Sequence, residues 1–299
     1  MAGGSRRGRQ ARHRTILKSV VFNADDFGAA VEVNEAIERG HRDGVLRSAS
    51  LMVGAPACED AVARARRLPT LAVGLHVVLV NGRPVLPPSA VPDLVDDRGE
   101  FLTDLVQAGM RFFFRPGIRR QLEAEMRAQF EAFAATGLPL DHVNAQCHMH
   151  VHPTIFGLLL NVGRDYGMGA LRIPREPHGR TWSIEPWTGL MRARARARGI
   201  ACNDYVYGVN DVGAMTESRV LQMLDALPDG VTELFFHPAT APFPGADPGT
   251  DRFQWLAELQ ALTSPAIQSR LTQNNIRSIV YGELPCHPEQ PRSGGSKDA

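Results

Sequence analysis

The 299-residue chain has only four cysteines, Cys58, Cys147, Cys202 and Cys286, and no C-x-x-C pair. That scatter argues against a disulfide framework or a zinc knuckle and for a reducing compartment. Long apolar runs are missing too: no stretch approaches the ~20 residues needed to span a bilayer. The basic start, with Arg6, Arg7, Arg9, Arg12 and Arg14, leads into "SVVFNADDF" rather than the apolar core of a signal peptide. Charge of one sign is also lacking. The net charge is +1, and cations do not interleave with aromatics, so no nucleic-acid partner is expected. With neither a G-x-G-x-x-G loop nor a G-x-S-x-G elbow, a dinucleotide-binding sheet and a serine hydrolase both fall away.

What is present is an ordinary globular composition, 43% hydrophobic and 22% charged, with strands and helices in alternation. Short β-branched runs at 19–23, 48–53, 71–80, 140–145, 170–174, 202–208, 231–237 and 277–282 read as strands. Helical periodicity occupies 31–44, 58–68, 119–137, 153–166 and 217–227, then two further stretches between 252 and 274. The segments from 83 to about 115 and from 178 to 215 give no assignable pattern, except for the strand at 202–208 and "RARARARG" (192–199), which reads as one solvated helix face. Such alternation predicts an α/β fold, a single distorted (β/α) TIM-like barrel with seven or eight parallel strands. The barrel is expected to span 18–285, between a flexible basic arm (1–17) and a disordered tail (286–299). The expected location is cytoplasmic.

In such barrels the chemistry gathers where strands end. That rule selects Asn23, Asp25 and Asp26 after the first strand and His76 in the third. It also selects the row in "HVNAQCHMHVHP" (142–153) after the fourth, and His237 in "FFHPA". Each piece has an ordinary alternative. Paired aspartates often cap a helix, and a histidine inside an apolar strand is often a hydrogen-bonded core residue. Their shared rim position favours chemistry instead. His142, Asn144, Gln146, His148, His150 and His152 alternate, so in an extended segment they face one way. One strand cannot aim four imidazoles at one metal, so most of them are expected to contact substrate, support ligands or shape the loop. Metal-assisted hydrolysis is the class these residues support: a metal acidifies water, Asp takes its proton, and His protonates the leaving group.

"VVFNADDFG", "VGLHVVLVNGRPV", "LDHVNAQCHMHVHP" and "ELFFHPA", in this order and spacing, resemble the YdjC-like carbohydrate deacetylases. The wider text, with "LRIPREP", is similar to their hopanoid-biosynthesis-associated (HpnK) branch. The resemblance covers about residues 17 to 285. It implies a distorted barrel that removes an N-acetyl group from an amino sugar with one divalent metal ion, Mg²⁺ or Zn²⁺. The implied substrate is an N-acetylglucosaminyl hopanoid lipid, with a soluble chito-oligosaccharide as the alternative. Asp25 would be the general base, Asp26 and His76 metal ligands, and His237 the acid or oxyanion stabiliser. Asn23, His148, His150 and Arg172 would contact substrate.

The family's third ligand is a histidine four residues after the first histidine of this strand, and here that position is Gln146. Three readings follow. Gln146 coordinates through oxygen, which favours a hard ion such as Mg²⁺; His148 takes its place; or the protein is a weakened enzyme or a glycolipid-binding protein. A peripheral contact with the inner membrane face and a homodimer are further expectations. Phe112, Phe113 and Phe114, between Arg111 and Arg115, are the candidate membrane contact, with anchoring of their segment to the core as the alternative.

Overall fold

The computed structural model describes residues 18–177, 184–243 and 249–284, so the expected basic arm and tail lie outside the described residues. Among the described residues nine short strands are all paired in parallel: β1 Ser19–Phe27, β2 Ser48–Leu51, β3 Ala72–Val77, β4 Val143–Ala145, β5 Ala170–Leu171, β6 Ala201–Cys202, β7 Tyr205–Tyr207, β8 Val231–Phe236 and β9 Arg277–Ser278. Between them run α1 Val31–Arg42, α2 Cys58–Arg67, α3 Leu105–Phe114, α4 Pro116–Ala135, α5 Pro153–Asp165, α6 Glu185–Arg196, α7 Glu217–Asp225, α8 Trp255–Leu262 and α9 Pro265–Gln273. The sheet runs β6-β5-β4-β3-β2-β1-β8-β7. Its two ends belong to one stretch of chain: Cys202 pairs with Leu171 of β5, and three residues later Tyr205 pairs with Thr232 of β8. Seven positions therefore form a distorted TIM-like barrel, and β9 adds an eighth beside the start of β1.

Each strand has two buried faces, as a parallel sheet under helices requires. Outward residues such as Val20, Phe22 and Ala24 join the main core with the helices. Inward residues form layers. At the bottom Val21 packs with Ala170, Ala201, Ile279, Tyr281 and Leu284 as a small apolar plug. Above it the inward side chains are polar: Asn23 and Asp25 on β1, Ser50 on β2, His76 on β3, Asn144 on β4 and Glu233 on β8. Gly74 is needed here, since a Cβ on it would lie 2.4 Å from the His142 ring.

Two expectations about local structure change. The segment to about 115 contains a helix, α3, whose Asp104 side chain accepts from the backbone N–H groups of Val106 and Gln107. The alternating row beyond β4 does not persist either. The strand stops at Ala145, residues 146–151 form a 3-10 stretch, and Cys147 and His148 take left-handed φ angles of 49° and 52°. Period-two parity holds only while the chain is extended, so it fails beyond Gln146. His152 instead caps α5: its Nδ1 accepts from Thr154 N, which leaves Nε2–H to donate to Gly109 O.

Candidate active site

The end of β1 sets the geometry. Its pairing with β2 slips between Ala24 and Phe27, and Asp26 has φ 64°. Such an irregularity re-aims one side chain, a recurring device beside active sites. Asp25 keeps the inward parity and is sealed, whereas Asp26 turns upward and lines an open cleft of about 760 Å³. Neither aspartate caps α1, whose N-cap is Ala30 with no side-chain bond.

Asp25 is held by four donors. Asn23 Nδ2 and Asn144 Nδ2 each donate to its Oδ1 at 2.9 Å, and Arg172 donates to both oxygens at 2.7 and 2.9 Å. Arg172, with no exposed surface, also grips Glu233, which accepts from Tyr281 OH. Asn23 and Asn144 send their second amide hydrogens to Ser50 Oγ, whose own hydrogen remains for His142 Nε2. His142 then donates through Nδ1 to Asp141 and stacks on Tyr281 at 4.7 Å, closing the network on itself. Burial alone would push the Asp25 carboxyl up, but Arg172 outweighs it and holds the acid well below the usual carboxylate range.

The same bonds set the state of His76. Both amide hydrogens of Asn144 are committed, so its oxygen accepts, and His76 Nδ1 must carry the proton at 2.7 Å. Burial lowers the His76 pKa, partly opposed by Asp25, so the ring is neutral. Its bare Nε2 therefore faces Asp26 Oδ1 at 3.4 Å. An imidazole locked by a partner on its other nitrogen is the usual condition of a metal-ligating histidine. Gln146 lines the same cleft and donates its amide N–H to Asn81 O at 3.2 Å.

His237 follows β8 at the rim. Its ring lies between Phe235 and Phe253 at 5.6 and 5.1 Å, and burial pulls its pKa down to about 4. Glu258 of α8 accepts from the backbone N–H groups of His237 and Met215, and burial pushes its own pKa up to about 7. The cleft wall nearby is aromatic, with Phe243 and Phe253 flanking Trp255 at 5.4 and 6.4 Å.

The structure thus gathers Asp25, Asp26, His76 and His237 at the ends of β1, β3 and β8; Asp26 and Gln146 line the cleft, and Asp25, His76 and His237 do not. Asn23, His150 and Arg172, expected at the substrate, are buried and do not line the cleft, a placement they share with Asp25 and His76. Four guanidinium hydrogen bonds of Arg172 go to two carboxylates. His148 packs edge-on against Phe235 and His150, at 5.3 and 6.0 Å, and does not line the cleft either.

Asp26 and His76 are chemically suited to a divalent cation, and Gln146 adds a carboxamide. Among the described residues no three His, Cys, Asp or Glu side chains group as a ligand set. Two protein ligands and an amide oxygen fit a hard ion that keeps bound water, such as Mg²⁺, better than the nitrogen- and sulfur-rich set that Zn²⁺ favours.

Sequence reasoning placed Asn144 in the alternating row without a role of its own and did not single out Ser50, Glu233 or Glu258. A signal existed for the first three: polar residues at inward parity inside otherwise apolar strands must find partners. Glu258 was marked by its place in the apolar helix "WLAELQAL". On α4, Glu125 and Gln129 interrupt the apolar stripe Leu122, Met126 and Phe130; they bind the backbone of Val78, Val85 and Leu86, which holds the cleft-lining loop.

A parallel barrel with carboxylates and imidazoles at the strand ends defines a class of barrel enzyme. The chain belongs to the YdjC-like protein family, whose model matches residues 19–273. It is 32% identical to a carbohydrate deacetylase of Geobacillus stearothermophilus over 88% of this chain and 97% of that protein. A carbohydrate deacetylase of Brevibacillus brevis is 30% identical over 89% and 99% of the two chains. A solved Enterococcus faecalis structure, described as a candidate cellobiose-phosphate cleavage protein, superposes with a TM-score of 0.71. It is 26% identical and covers 89% of this chain and 98% of that one.

Proposed function

We propose that this protein is a metal-dependent carbohydrate N-deacetylase whose substrate is an N-acetylglucosaminyl hopanoid lipid. The observation that carries the reading is the facing pair of Asp26 Oδ1 and bare His76 Nε2, 3.4 Å apart, beside a carboxylate held ionised. The full-length similarity to curated carbohydrate deacetylases supports the amide chemistry. The hopanoid acceptor rests on the likeness of "SLMVGAPACEDAVARARRLPTLAVGLHVVLVNGRPVLPP" and "LRIPREP" to that branch of the family.

Asp26 and His76 would hold the metal, with Gln146 offering its amide oxygen. A bound divalent ion supplies Lewis acidity toward water and the acetyl oxygen. Asp25 is the base. Its Oδ1 is saturated by three donors, while Oδ2 accepts, among the described residues, from Arg172 alone and retains a lone pair for the proton of the attacking water. Water adds to the acetyl carbon, and the proton taken by Asp25 passes to the amide nitrogen as the C–N bond breaks, leaving acetate and a free amine. His237, uncharged at neutral pH, donates a hydrogen bond to the developing oxyanion. Trp255 and its aromatic neighbours give the apolar face of a sugar ring a surface to stack on.

Acetate release tests this reading, measured on an N-acetylglucosaminyl lipid and on a chito-oligosaccharide while Mg²⁺ or Zn²⁺ is titrated. Metal-dependent release from the lipid supports the whole assignment. Release from the oligosaccharide alone moves the substrate to soluble sugars. Binding of the lipid without acetate at any metal concentration would make the protein a glycolipid binder, the third reading of Gln146.

A further inference from the structure

The chain between β3 and β4 makes an excursion whose first helix, α3, buries one edge and exposes the rest. Ala108 and Phe112, one turn apart, are sealed against the body of the protein. Val106, Met110, Phe113 and Phe114 follow the i, i+4, i+7, i+8 spacing of a single helix face and are 76%, 57%, 59% and 66% exposed. Among the described residues ten large apolar side chains are exposed, and five of them, counting Leu105, lie on this ten-residue helix. Isolated exposed apolar residues are ordinary in soluble proteins, but a continuous stripe of them marks a contact surface.

The charges beside the stripe say what it meets. Arg111, Arg115, Arg119 and Arg120 lie on or just beyond α3; the nearby carboxylates include the N-cap Asp104, Asp93, 4.0 Å from Arg115, and Glu123 on α4, which pairs with Arg127. Arg111, Arg119 and Arg120 make no ion pair among the described residues. Phenyl rings bordered by unpaired arginines match a bilayer surface, where rings enter the acyl boundary and guanidinium groups meet anionic headgroups. A second copy of this chain would bring the same four arginines against themselves.

The position of α3 ties this surface to the rim. His152, which caps α5 directly after the 146–151 stretch, donates to Gly109 O at 3.1 Å and packs edge-on against Phe112 and Phe113 at 6.2 and 6.0 Å. We propose that α3 is a membrane-docking helix that lays Val106, Met110, Phe113 and Phe114 on an anionic lipid surface. This inference does not rest on the substrate assignment, because the occupant is the bilayer and the reading is binding in the absence of substrate.

Sedimentation of the full chain with sucrose-loaded vesicles tests it, comparing phosphatidylcholine alone with phosphatidylcholine containing phosphatidylglycerol. Wild type should bind the anionic vesicles and lose that binding as salt rises. Phe113→Ser/Phe114→Ser should weaken it about tenfold or more, and Arg119→Glu/Arg120→Glu should abolish the preference for phosphatidylglycerol. The charge-reversed variant keeps the test decisive should the serine variant fail to fold. Absence of wild-type binding, or binding by both variants equal to that of wild type, would overturn the proposal. So would sedimentation velocity showing a wild-type dimer that the serine variant turns into monomer, since the face would then belong to a second copy.

Discussion

Asp25 and Asp26 are chain neighbours and live in different media. Asp25 is 2% exposed and held by an arginine and two asparagines, whereas Asp26, turned by a left-handed backbone angle, lines an open cleft. The barrel below the cleft is a buried polar network in which Asp25, Arg172 and Glu233 are partnered. The cleft above is where ligands meet groups not wholly claimed by the fold. The lesson is that one strand end serves both stability and chemistry, because a one-residue irregularity switches which medium the side chain enters.

Removing the shared cation should break the lower region most severely. Arg172→Met leaves Asp25 and Glu233 buried without their guanidinium, and about 3–5 kcal/mol of stability should be lost at pH 7. The sign with pH is fixed by the carboxylates. In wild type the depressed Asp25 pKa contributes stability above the unfolded value, which is lost as pH falls through the folded one. In the variant burial loses its main opponent, so its deficit should shrink toward pH 5. Urea unfolding at pH 5 and pH 7 measures both effects, and an equal deficit at the two pH values would mean the pair is not what Arg172 compensates.

Glu258 sharpens the comparison because it is buried without a cation. Its folded pKa is raised from 4.5 to about 7, so the folded state holds a proton that the unfolded chain releases across that window. Stability should therefore fall as pH rises from about 5 to 7, by on the order of 1–3 kcal/mol. Glu176, also raised to about 7, adds to the same slope, so the informative quantity is the difference between wild type and Glu258→Gln. The variant should be less stable throughout, having one acceptor for two backbone N–H groups, yet show a shallower fall in melting temperature. An unchanged slope would refute the assignment.

In the cleft, Gln146→His should tighten metal binding about 10–100-fold, the scale on which even outer-shell changes act. Calorimetric titration with Mg²⁺ and Zn²⁺ reads it, and the larger gain is expected for Zn²⁺ because imidazole replaces an oxygen donor. No change for either ion would place Gln146 outside the ligand set.

Most of the barrel was legible in the sequence because parallel strands buried on both faces read as β-branched runs, and the helices between them carry 3.6-residue periodicity. The carboxylates and His76 were legible as strand-end residues. Other features were not, each for a local reason. α3 exposes the apolar face that periodicity assigns to a core, so its pattern pointed nowhere. The 142–152 row promised one face, but left-handed φ angles at Cys147 and His148 broke the alternation. Arg172 was expected at the substrate, since only the folded barrel shows two carboxylates, 61 residues apart from it in one case and 147 in the other, converging on its guanidinium.

Bound metal and turnover in Asp25→Asn and Asp26→Asn, measured side by side on the same preparation, test the central claim most directly. Asp25→Asn should keep the metal of wild type and release no acetate, because it loses the base and not a ligand. Asp26→Asn should lose both. Equal metal content in the two variants, with equal loss of activity, would contradict the division of labour between these adjacent carboxylates.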